Sequence, residues 1–169
     1  MSRYAGPYQP GAVQIIIGAP VGPLGVAVVI PNLPAGATFP ILVTGRSADS
    51  FSSATQTTDT NSMVAGADGE VVHVLSYDPT GSITISVMQS SITNLVFSAA
   101  HTAMSNRIAP LAFTFPVTVK DPLAQGDLVT GTNCVIQRAP DHTRGASEGN
   151  NAWTFLAADL RILHGARFF

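Results

Sequence analysis

The chain has 169 residues, of which 46% are hydrophobic and only 11% charged, and its eight basic and ten acidic residues give a net charge of −2. One domain of this length buries roughly 70% of the surface of its unfolded chain, and the charged share is well below the usual figure of about 25%. No two Lys or Arg residues are adjacent, which excludes a basic patch built to neutralise phosphates; so thin a charge suits a surface covered by copies of itself.

The opening residues Met1-Ser2-Arg3-Tyr4 lack the charged-then-apolar order of a secretory signal. Gly11 to Ile30 is uncharged and matches a bilayer-crossing helix in length. It also holds Pro20, Pro23 and four glycines, and each interior proline costs about 3 kcal/mol in a helix. No membrane span is therefore expected. The better reading is two strands, Val13–Ile17 and Leu24–Ile30, joined by the turn Ala19-Pro20-Val21-Gly22-Pro23. A third strand is expected from Phe39 to Thr44, with Pro40 marking its start or a sheet edge.

Ser47 to Ser62 is rich in Ser, Thr and Asp and offers only Phe51 and two alanines for burial. It reads as a long mobile loop or a segment that orders against a partner. The turn Gly66-Ala67-Asp68-Gly69 closes it, and Val71–Leu75 resumes as a strand. The turn Asp78-Pro79-Thr80-Gly81 then leads into a clean alternation. Ile83, Ile85 and Val87 face the core, while Ser82, Thr84 and Ser86 form an uncharged hydroxyl face suited to solvent or a channel wall.

Ser90 or Ser91 can cap a helix from Ile92 to Ala103, with Ile92, Leu95, Val96, Ala99 and Ala103 as its apolar stripe. Asn106 and Pro110 mark its end. Strands are expected again at Leu111–Val119, Leu128–Gln137 and Ala152–Leu156. Gly126-Asp127 supplies hairpin chemistry between the first two, and a second polar loop, Pro140 to Asn151, precedes Trp153.

Little in this order points to chemistry. His73, His101, His142 and His164 lack the i, i+2 or i, i+4 spacing of zinc sites, and Cys134 has no partner cysteine. Cys134 reads as a small buried apolar residue. Gly145-Ala146-Ser147-Glu148-Gly149 has the Gly-x-Ser-x-Gly spacing but falls in the polar loop Pro140 to Asn151 rather than between a strand and a helix, and there is no glycine-rich phosphate loop. Asp68 and Glu70 flank a turn rather than form a catalytic carboxylate pair. No catalytic residue, metal or cofactor is assigned, and the chain is not expected to be an enzyme. Phe113 with Phe115, and Trp153 with Phe155, alternate as cross-strand core pairs do. Phe168-Phe169 is an apolar tail that needs a docking place, in its own subunit or a neighbour.

Several strings, taken in order, resemble the tail tube proteins of contractile-tailed bacteriophages. They are Ser47-Ala48-Asp49-Ser50-Phe51, Gly66-Ala67-Asp68-Gly69-Glu70-Val71, Pro79-Thr80-Gly81-Ser82-Ile83-Thr84-Ile85 and Met88-Gln89-Ser90-Ser91-Ile92-Thr93-Asn94. Phe115-Pro116-Val117-Thr118-Val119-Lys120-Asp121 and Trp153-Thr154-Phe155, running to Asp159-Leu160, complete the set. The likeness spans residues 41–161.

The resemblance implies a single domain over 1–169: a β-sandwich or barrel with one flanking helix, closing with copies into a hexameric ring with a β-lined channel. Rings would stack into the tube through which phage DNA is delivered, and the ring protein of type VI secretion is built similarly. Ser82, Thr84 and Ser86 become candidates for the lumen. The long polar loop 47–65 becomes the candidate inter-ring contact, through Ser52, Thr55, Thr57, Asp59 and Asn61. Ile92, Leu95, Val96 and Ala99 become a subunit-packing helix face. The implied partners are other copies, the tail sheath, the baseplate, the tail terminator, and DNA that passes without tight binding. The protein would be assembled in the host cytoplasm and reside in the virion tail. Residues 1–40, rich in Gly and Pro, depart from the family pattern as a divergent N-terminal hairpin region. Two other readings stay open: another virion assembly protein, in capsid decoration or the baseplate, and a ligand-binding β-sandwich with an exposed Trp153.

Overall fold

The computed structural model describes residues 13–25, 28–35, 37–48, 50–105, 113–121, 127–143, 145 and 147–165. In chain order the strands are β1 (Gln14–Ile17), β2 (Ile41–Leu42), β3 (Ser52–Gln56), β4 (Asn61–Ala65), β5 (Val71–Leu75) and β6 (Gly81–Met88). The helix α1 (Ile92–Ser105) follows, then β7 (Phe115–Lys120), β8 (Leu128–Ile136), β9 (Asn150–Ala157) and β10 (Asp159–Leu163). The fold is mainly β with one helix.

The alternation read in β6 is the organising feature. Ile83, Ile85 and Val87 are fully buried, whereas Ser82, Thr84 and Ser86 are half-buried on the opposite face. β6 pairs antiparallel with β9 on one side and with β3 on the other, so Ile83 sits opposite Phe155 and Ile85 opposite Trp153. The full strand order is β2-β1-β7-β8-β9-β6-β3, with every pairing antiparallel. Among the described residues this sheet stays open, ending at β2 and β3, and does not close into a barrel. α1 and the irregular segment 28–44 cover its inner face, delivering Val96, Phe97, Ala100, Ile30 and Val43 to the core.

β10 was not foreseen. Beyond a bend at Ala158 it carries the β9 ladder onward along β8, from Asp159↔Thr132 to Leu163↔Leu128. Where this happens β8 itself is bulged: its register against β7 shifts between Phe115 and Val117, and Asn133 there has φ +50. Asn tolerates that left-handed conformation better than most residues.

Three expectations are corrected. The strand Leu24–Ile30 is not formed: Pro23–Gly25 make a 3-10 turn, and 28–30 carry no strand pairing. Gly25 has φ +75, which turns the chain away from an extended path. The strand Phe39–Thr44 shrinks to β2, which does lie at a sheet edge as Pro40 implied. The polar stretch 47–62 is only partly a loop. Ser52–Gln56 becomes β3 because β6 offers it a backbone ladder, from Ser52↔Ile85 to Gln56↔Gly81, and Asn61 and Ser62 begin β4.

The helix also differs in rotation. Its start is capped as expected, with Ser91 Oγ accepting the Thr93 N–H at 3.2 Å and donating to the Thr44 carbonyl at 2.8 Å. Gly45 makes this approach possible, since a Cβ there would lie 2.6 Å from Ser91 Cβ and its φ is +65. The buried line, however, is Thr93, Val96, Phe97, Ala100 and Ala103. Phe97 sets the rotation by meeting Trp153 and Phe155 edge-on, at centroid distances of 5.5 and 5.4 Å. Ile92 and Leu95 are left 62% and 55% exposed, and Ala99 is half-buried. Asn106, Pro110, Leu111, Gly126 and the tail Phe168-Phe169 lie outside the described residues.

Candidate assembly surfaces

The register of β3, β6 and β9 assembles one continuous outer face. Ser53 pairs with Thr84 and Thr55 with Ser82; on the other side Ser82 pairs with Leu156, Thr84 with Thr154 and Ser86 with Ala152. Val135 of β8 extends the row beside Leu156. Thr84 Oγ1 and Thr154 Oγ1 are 3.2 Å apart and share a hydrogen bond. None of these side chains is ionisable. The three serine and threonine positions picked from sequence are thus the middle of a wider hydroxyl face, and Ser53, Thr55 and Thr154 are its unpredicted members.

The second surface is a projecting arm. Among the described residues β4 and β5 pair only with each other, from Asn61↔Leu75 to Ala65↔Val71, and all ten strand residues are exposed. The turn expected at Gly66–Gly69 joins them, with the Gly66 N–H donating to the Glu70 carbonyl at 2.7 Å and Gly69 at φ +81. Asp68 and Glu70 flank this turn, as their spacing implied. The register puts Asn61, Met63, Ala65, Val71, His73 and Leu75 on one face and Ser62, Val64, Val72 and Val74 on the other. Both faces carry exposed apolar side chains, and the second is interrupted by Ser62 alone. An isolated two-stranded hairpin is at best marginally stable in water.

Of the inter-ring candidates, Ser52 and Thr55 lie in β3 beside β6, Thr57 and Asp59 link β3 to the arm, and Asn61 starts β4. The Thr57 N–H is held by the Thr80 carbonyl at 3.0 Å. Thr58 Oγ1 donates to Asp78 Oδ2 at 2.7 Å, and the Thr80 N–H donates to Asp78 Oδ1 at 3.0 Å. These bonds, the Thr58 hydroxyl foremost, hold the Asp78 carboxyl below its ordinary value of 3.8. They tie the root of the arm to the start of β6.

The third surface surrounds the exposed part of α1. A groove of about 290 Å³ between segment 34–44 and the first turns of the helix is lined by Pro34, Ala37, Pro40, Leu42, Ile92 and Val96, among others. Among the described residues no ionisable side chain lines it. Val96 is 3% exposed and belongs to the subunit's own core, so of the four helix residues proposed for subunit packing it is not free for a neighbour.

The histidines are dispersed: His73 is on β5, His101 on α1, His142 in a loop, and His164 Nδ1 lies 3.3 Å from Asp127 Oδ1. Among the described residues no three His, Cys, Asp or Glu side chains converge. Cys134 is fully buried, and burial pushes its thiol up to about 11. Trp153 is 2% exposed, which overturns the reading that needed it as an exposed binding platform. No helix among the described residues is long and apolar enough to cross a membrane.

A sheet open among the described residues, an arm with exposed apolar side chains on both faces and an uncharged hydroxyl face are features of a subunit shaped to be completed by other chains. The profile of the Bacteriophage PhiTE tail tube protein family matches residues 33–165, well over half of the sequence, and the chain belongs to that family. It is a structural component of the virion tail, and the family implies a tube built from copies of the chain. No curated protein matches it.

Proposed function

We propose that copies of this chain close into rings, six subunits to a ring, that the rings stack, and that phage DNA passes through the channel. The observation that carries this reading is the hydroxyl face of β3, β6 and β9, which has no ionisable side chain. A channel that must release a polyanion is best without Lys or Arg, because each phosphate contact releases counterions, adds affinity and so holds the DNA back. Ser82, Thr84 and Ser86 line the lumen in this account. The free edges at β2 and β3 give a head-to-tail contact that closes the ring by extending the sheet from one subunit to the next. The arm β4–β5, rather than a loop over 47–65, bridges to the neighbouring ring. A contractile sheath outside the tube, a baseplate and a tail terminator at its ends, and assembly in the host cytoplasm complete the proposal.

The test is to express the chain alone, measure its mass by light scattering and image it by negative stain. Six subunits of 17.5 kDa give a ring of about 105 kDa; such rings or long hollow tubes support the reading. A monomer that stays monomeric even when offered preformed tail tips contradicts it.

A further inference from the structure

We infer that the groove between β2 and α1 is the receptor for the β4–β5 arm of another copy of this chain. The inference rests on the stacked-tube reading and names the two surfaces that meet in it. Among the described residues the arm is a projection with no strand partner outside itself. Its strands pair only with each other, and Met63, Val64, Val72 and Leu75 are each more than half exposed. The groove is the matching recess. Its described lining is uncharged, and its rim carries Leu42 at 54%, Ile92 at 62% and, one turn along α1, Leu95 at 55% exposure.

At about 290 Å³ the groove falls at the small end of small-molecule sites. It has the size for a few aliphatic side chains from one face of a strand. The arm presents such a row in Val64, Val72 and Val74. Charge is sorted to agree with this: the arm's two acids, Asp68 and Glu70, sit in its turn, so the apolar strands can enter the uncharged groove while the turn stays wet. β2 lies at the lip of the groove and is an edge strand with no further strand beside it among the described residues. That edge is taken by the next subunit of the ring in the stacked-tube reading, so the arm docks by apolar contact alone.

A joint of two different patches used head to tail is heterologous and propagates from copy to copy, as stacked rings require. A second copy is thus the occupant favoured over a foreign peptide. Donor and acceptor occur once on every chain of a tube, and each joint uses one of each.

Two double variants test this. Val64→Asp with Val72→Asp disables the arm, and Ile92→Asp with Leu95→Asp disables the groove. All four positions are exposed in the subunit, and the native emission of buried Trp153 checks that each variant folds. With wild-type tubes established, neither variant alone should form them. An equal mixture should regain short stacks, because an intact arm from one variant can meet an intact groove on the other in about a quarter of joints. If both variants fail alone and the mixture regains nothing, the two surfaces do not meet and the inference is overturned. The same holds if the groove variant still forms tubes, since the arm then docks elsewhere. If the wild-type chain forms neither rings nor tubes, the stacked-tube reading itself fails.

Discussion

The indole Nε1–H of Trp153 donates to Asn94 Oδ1 at 2.9 Å, and this bond fastens the helix to the sheet. Asn151 Nδ2 donates to the same oxygen at 3.2 Å, while Asn94 Nδ2 donates back to the Met88 carbonyl at 2.7 Å. One amide thus joins the end of β6, the first turn of α1 and β9. Asn94→Ala leaves the buried indole N–H unpaired and should cost about 1–3 kcal/mol. Asn94→Asp keeps the acceptor and should lose less. Thermal unfolding of the three proteins, followed at Trp153, measures the order, and equal midpoints would show that the bond contributes nothing.

A second prediction concerns Gly81, which opens β6 where β3 and β10 converge. A Cβ there would lie 2.3 Å from Leu160 Cδ2 and 2.7 Å from the Thr55 carbonyl oxygen. Leu160 can move, but the Thr55 backbone is held in the β3–β6 ladder. Gly81→Ala should destabilise by about 1–3 kcal/mol through overpacking, measured as a lower urea midpoint at unchanged slope. An unchanged midpoint would mean that β3 yields freely at this edge.

The Asp78 carboxylate supplies a pH signature. Its pKa is lowered by the Thr58 hydroxyl bond and then by bonds to Thr80. A group whose folded pKa is depressed supports the fold above its unfolded pKa, and that support is lost as pH falls through the folded value. The anchoring of the arm's root is therefore complete at neutral pH and fades only below 3.8. An NMR titration of Asp78 should show a midpoint below 3.8, moving upward in Thr58→Val. A midpoint indifferent to Thr58 would dismiss the bond as a feature of the folded state.

Cys134 should behave as core. With no exposed surface and its pKa raised to about 11, it should resist a thiol reagent at pH 8 in the native protein and react on unfolding. Rapid native labelling would show that β8 opens readily beside its bulge.

The sheet was legible in sequence wherever one face was apolar and the other hydroxylic. β6 shows this most plainly, because Ile83, Ile85 and Val87 are the residues it buries. β3 was not legible, since Ser52-Ser53-Ala54-Thr55-Gln56 has no strand pattern of its own. The ladder with β6 imposes its conformation, which is a tertiary effect rather than a propensity. The helix was found but rotated. The spacing of Ile92, Leu95 and Ala99 is a fair stripe, and only the fit of Phe97 against Trp153 and Phe155 turns it aside. That misfit is informative, because the apolar residues left outside now border the groove. β10 escaped notice because Ala157-Ala158-Asp159 carries no turn signal.

The lumen assignment gives a directional test. Thr84→Lys places a cation beside Thr154 in the middle of the hydroxyl face. Tubes should still assemble, but they should retain DNA at low salt and release it as salt rises. Failure of this variant to assemble would remove the face from the lumen and put it in an interface.

The most direct measurement is a cryo-EM reconstruction of tubes grown from the purified chain. The account predicts stacked rings around an open channel, with Ser82, Thr84 and Ser86 on the channel wall and no Lys or Arg side chain beside them. A filament without a channel, or a tube carrying those three residues on its outer surface, would contradict it.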